Sequence, residues 1–114
     1  MTREEFVEKL QTFLLAHNYK KDTGEQWYLT VMSPGRPMQV IDSTGKMFVT
    51  KEPDIYVKFR VEIVGNAEIV GIPGVQILFE VSQEKAILME YEEVFFYDEN
   101  TRLEKKLKEL PFIL

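Results

Sequence analysis

The chain has 114 residues, no cysteine, one histidine and a formal charge of −5, with 45% hydrophobic and 29% charged residues. That is enough for a single core, and it excludes disulfides, thiolate chemistry and Cys-based zinc sites. A multi-histidine metal site is excluded too, and a Ser-His-Asp triad would have to use His17.

The first segment reads as a helix. Thr2 and Glu5 have capping-box spacing, Phe6, Leu10, Phe13, Leu14 and His17 share one face, and Asn18 suits a left-handed end. Asp22-Thr23-Gly24 is a turn, and Gln26 to Met32 alternates as a strand. In Ser33 to Pro37, the pair Pro34-Gly35 suits a type II turn with Arg36 at its tip. Short strands are expected at Met38 to Ile41 and Met47 to Thr50, joined by the turn-forming stretch Asp42 to Lys46.

Ile55 to Ile63 carries the clearest pattern in the chain. Ile55, Val57, Phe59, Val61 and Ile63 are apolar, and the residues between them are polar or amphipathic, as in a strand with one buried face. Gly65-Asn66 is expected to turn the chain into a strand at Ala67 to Ile72, and Pro73-Gly74 into another at Val75 to Val81. Ala86 to Tyr97 reads as a strand on its aromatic and β-branched content, although helical spacing is also tolerable. Glu93 then falls among inward residues, so a bulge near Glu92 and Glu93 is expected. A last helix runs from Arg102 to Leu110 with Leu103, Leu107 and Leu110 inward and Glu104 paired to Lys108. Pro111 stops it, leaving Phe112 to Leu114 as an apolar tail.

The expected fold is α+β in one domain, 1–114. An N-terminal helix and a C-terminal helix flank a mostly antiparallel meander of about six or seven strands, a sheet that could curve strongly or close like a barrel. The stretch MTREEFVEKLQ is too charged for a secretory h-region, and no apolar run reaches the roughly 18 residues of a span. A cytoplasmic protein without membrane contact is the expectation.

Charge is uneven along the chain. Residues 1–65 carry nine acids and nine bases, 66–99 carry eight acids against Lys85 alone, and 100–114 carry two acids against four bases. Such a balance argues against nucleic acid, which needs clustered cations. The leading expectation is a non-enzymatic binding or adaptor module presenting Glu90, Glu92, Glu93, Asp98 and Glu99 to another protein of basic character. The alternative is a small-molecule site on a concave sheet lined by Trp27, Tyr28, Arg36, Tyr56 and Phe95. An enzyme working on carboxylates ranks third. The spacing of these residues gives no catalytic set, no metal site and no cofactor.

Overall fold

The computed structural model describes residues 1–110, so the expected apolar tail lies outside the described residues. Helix α1 spans Arg3–Ala16 and α2 spans Asn100–Glu109. Between them lie β1 (Lys20–Lys21), β2 (Gln26–Ser33), β3 (Pro37–Ile41), β4 (Met47–Lys51), β5 (Ile55–Ile69), β6 (Ile72–Gln83) and β7 (Ala86–Phe96). No described helix is long and apolar enough to cross a membrane.

Helix α1 starts and stops where its sequence dictates. The Thr2 hydroxyl accepts from the Glu5 amide at 3.2 Å, and Phe6, Leu10 and Leu14 are buried. Asn18 takes the left-handed conformation at φ 68°, the Tyr19 amide donates to Leu14 O at 2.9 Å, and the Asn18 amide donates to Leu15 O. These are the two bonds of a Schellman ending. His17 Nδ1 lies 2.9 Å from Phe13 O with its ring stacked on Phe13 at 4.0 Å, so the lone histidine closes the helix.

The α+β class holds, but the sheet has fewer strands than expected and is open. Five strands pair antiparallel in the order β1-β2-β5-β6-β7, while among the described residues β3 and β4 pair only with each other. The chain is therefore no simple meander: β2 pairs with β5, and the hairpin between them leaves the sheet. Inward residues of β2, β5, β6 and β7 meet Phe6, Leu10 and Leu14 of α1 and Leu103 and Leu107 of α2. Both helices thus cover the same face, in two layers. Burial also pushes the Tyr19 hydroxyl up to about 12.

Several local readings need correction. The expected strand at 67–72 is part of a longer hairpin, because β5 continues through Gly65 with an irregularity between Ile63 and Gly65. The turn falls instead at Val70-Gly71, where φ is 51° and 75° and Ile69 pairs with Ile72, a two-residue loop of the type that matches sheet twist. Pro73 is tolerated because β7 reaches only as far as Gly74, paired with Phe96. Gly35 does not have the positive φ that a type II turn requires. Its glycine is needed for close approach, since a Cβ there would lie 1.8 Å from the Glu52 carbonyl oxygen. Arg36 sits at the root of the hairpin, its carbonyl accepting from the Glu52 amide at 2.9 Å, and the tip is at Asp42 to Lys46.

Segment 86–96 is a strand, but its bulge is at Leu88. Val81 faces Met89 and Ser82 faces Ile87, so Leu88 has no partner. Glu92 and Glu93 stay in regular register opposite Leu78 and Ile77. In the last helix Leu103, Leu107 and Leu110 are buried as expected. Among the described residues no ion pair joins Glu104 to Lys108, whose ammonium lies 5.7 Å from the Phe13 ring.

Two stability outcomes follow from this packing. Phe59 is 2% exposed at the centre of the inner face, so Phe59→Ala should destabilise by roughly 3–5 kcal/mol in denaturant titration. Val70 is 94% exposed and holds a left-handed conformation that a β-branched residue resists. Val70→Asn should therefore stabilise by about 1 kcal/mol, and a lowered denaturant midpoint would show that Val70 has contacts worth more than its strain.

Candidate functional site

Strand alternation assigns each candidate residue to a face. On β7, Tyr91, Glu93 and Phe95 point to the helices, with the Tyr91 and Phe95 rings 5.0 and 6.0 Å from that of Phe79. Glu90 and Glu92 point to the opposite, bare face.

Glu93 is where the sequence pattern failed to foresee the solution. It stays on the inner face because α2 brings two cations to it: Arg102 Nη1 reaches Oε1, and Lys106 Nζ lies 2.8 Å from Oε2. The same Arg102 guanidinium binds both oxygens of Glu99, donates to Val94 O at 2.8 Å and lies 4.2 Å from the Phe95 ring centroid. Glu99 also accepts from the Phe96 amide at 2.9 Å. Hydrogen bonds from Arg102 and Phe96 hold the Glu99 carboxyl below the usual range. Bonds to Glu99 and Glu93 raise Arg102, and Glu93 raises Lys106. The spacing Arg102 to Lys106, one helical turn facing a strand carboxylate, was the available sequence signal.

The five acids therefore separate. Glu93 and Glu99 are neutralised in the joint between β7 and α2, whereas Glu90, Glu92 and Asp98 are exposed and in no ion pair among the described residues. Glu92 accepts a hydrogen bond from Gln76 and flanks Leu78, which Glu62 flanks from the other side. Nearer β2 the bare face is balanced: Arg60 bridges Glu62 at 3.4 Å and Glu80 at 3.1 Å, and Lys58 lies over the Tyr28 ring at 5.0 Å. The face is thus acidic on the β7 side and compensated on the β2 side.

The five residues of the ligand alternative do not all converge. Trp27 and Phe95 are buried under the helices, Tyr28 and Tyr56 lie on the bare face, and Arg36 is at the hairpin root. Trp27 and Tyr28 do line one polar recess of about 310 Å³, with Asp22, Gln26, Lys58, Arg60 and Glu80. Among the described residues no cluster of acids or histidine has metal-holding geometry.

The hairpin carries a surface that sequence analysis did not single out. Five large apolar side chains on β3 and β4, Met38, Ile41, Met47, Phe48 and Val49, are 37–70% exposed, Ile41 and Val49 most of all. Its root is fixed: Asp54 accepts from the Gly35 amide at 2.9 Å and pairs with Lys51 at 3.0 Å, which lowers its titration. Its tip is fixed as well, the Asp42 carboxylate accepting from the amides of Thr44 and Lys46.

No family model, curated protein or solved structure matches this chain.

The joint has a pH signature. Because Glu99 titrates lower in the folded chain than its ordinary 4.5, its contribution is complete above that value and is lost as pH falls through the depressed one. Glu99→Gln should remove this component, so that the stability gap to wild type narrows as pH is lowered through the acid range below the ordinary 4.5 in chemical denaturation. A gap constant across that range would mean Glu99 gains nothing from Arg102.

Proposed function

We propose that the chain is a non-enzymatic protein-binding module that offers the bare face of its five-stranded sheet, acidic along β7, to a basic partner. The observation that carries this reading is the one-sidedness of the two-layer packing. Both helices lie on the inner face, and Glu90 and Glu92 remain on the other without a cation among the described residues. Residues two apart on a strand are spaced by roughly 7 Å along one face, so the two carboxylates suit cations at alternate positions of an extended basic segment. Their neighbours help: Leu78 supplies a buried apolar floor between Glu62 and Glu92, and Arg60 already balances Glu62 and Glu80. An exposed charge pattern of this kind steers association and weakens with salt.

The joint acids are poor candidates for the same role. Glu93 and Glu99 already hold Arg102 and Lys106, and a partner's cation would have to displace a bidentate bond. The reading therefore narrows to Glu90 and Glu92, with Asp98 beside the start of α2.

Charge reversal at both positions separates recognition from folding, because both side chains are exposed. The double variant Glu90→Lys, Glu92→Lys should keep the wild-type denaturant midpoint within about 0.5 kcal/mol. In pull-downs from lysate of the source organism it should recover at least roughly tenfold less of any protein that wild type captures in a salt-sensitive way. Equal recovery by both proteins would remove this face as the binding surface.

A further inference from the structure

Strand β7 ends the sheet, and among the described residues no strand lies on its outer side. In an antiparallel ladder, successive residues turn both main-chain groups alternately towards one neighbour and the other. The joint to α2 shows which residues of β7 turn outward. Arg102 donates to Val94 O at 2.8 Å, the Phe96 amide donates to Glu99 Oε1 at 2.9 Å, and Phe96 O accepts from the Glu99 amide at 3.0 Å. Counting back in steps of two, as far as the bulge at Leu88, the outward residues are Phe96, Val94, Glu92 and Glu90.

The outer side of β7 is thus divided. At Val94 and Phe96 the groups of the joint already hold the main chain, and the joint's carboxylates are neutralised. At Glu90 and Glu92 the outward main chain has no strand beside it and the carboxylates have no cation, among the described residues. We infer that this edge takes an extended segment of a partner protein as a sixth strand, antiparallel to β7, with lysine or arginine opposite Glu90 and Glu92 and uncharged residues between. The inference rests on the bare-face reading and deepens it, by naming the form of the partner and the place where it pairs.

Charge and register select this occupant. An added antiparallel strand makes hydrogen-bonded pairs with Glu90 and Glu92, whose side chains then share the bare face with those opposite, Cα atoms about 5.5 Å apart. Tyr28, Arg60, Glu80 and Glu90 lie side by side on β2, β5, β6 and β7, with Arg60 bound to Glu80 at 3.1 Å. A cation beyond Glu90 extends that row by one matched pair. A second copy of β7 in the same register would instead set Glu90 and Glu92 against acids. The opposite edge does not suit a cationic strand, because β1 covers β2 at Trp27 and Tyr28 and Lys20 and Lys58 flank it. On the inner side Lys106 lies 5.7 Å from the Tyr91 ring, so the residues between the partner's cations are uncharged.

The probe is a synthetic peptide of about nine residues in which lysine alternates with threonine, capped at both ends, its binding to the 114-residue chain followed by fluorescence anisotropy. Wild type should bind it at least about tenfold more tightly than the variant Glu90→Lys, Glu92→Lys. In the antiparallel register the lysine amides turn towards β7, so main-chain N-methylation of the lysines should weaken binding at least about tenfold. The same methylation of the threonines, whose amides turn outward, should change it by less than about threefold. In the complex the Glu90 and Glu92 amides should slow in hydrogen exchange, followed by NMR.

A wild-type chain that fails to bind the peptide would overturn the inference, as would binding lost through the threonines instead, which would lay the strand parallel. Binding that charge reversal abolishes and lysine methylation leaves intact would overturn strand addition and keep the acidic face as the binding surface. Binding that lysine methylation abolishes and charge reversal leaves intact would overturn the acidic-face reading, and with it the pairing of cations to Glu90 and Glu92.

Discussion

The register between β2 and β5 is the constraint from which both halves of the molecule follow. Trp27 opposite Val61 and Leu29 opposite Phe59 put matching side chains on the inner face, and a slip by one residue would turn that whole set to water. The same register carries on outward to Ser33 opposite Ile55, past the last residues that β1 and β6 can pair. Beyond that point only two strands remain. The ribbon is thus the continuation of the pairing that builds the core, and the Gly35 contact with Glu52 and the Asp54 bonds keep it aligned where the strands break.

Charge is organised by the same geometry. Alternation on β7 sends Glu93 inward and Glu90 and Glu92 outward, so neighbouring acids meet opposite fates. An inner carboxylate beside Phe95 would be costly alone, and α2 resolves this by supplying Arg102 and Lys106 one turn apart. Arg102 serves twice, since its planar group also covers the Phe95 ring and ties Glu99 at the entry to the helix. Although α2 looks basic in sequence, two of its cations are taken up by the joint, while Glu90 and Glu92 keep their charge on the bare face with no ion pair among the described residues.

The sequence conveyed what depends on local periodicity. Helix α1 with its capping and Asn18 ending, the alternation of β5 and the inward leucines of α2 are all readable from spacing. It hid what depends on which strand meets which. Nothing in Met38 to Lys51 distinguishes two strands of a meander from a free ribbon, because apolar residues on both faces of a strand look the same whether neighbours or a partner cover them. Glycine and proline misled for a related reason: Gly65-Asn66 and Pro73-Gly74 resemble turns, whereas a long paired hairpin absorbs the first as an irregularity and places the second at its edge. Glu93 looked misplaced because its cations lie nine and thirteen residues further along the chain, a distance that strand periodicity does not see.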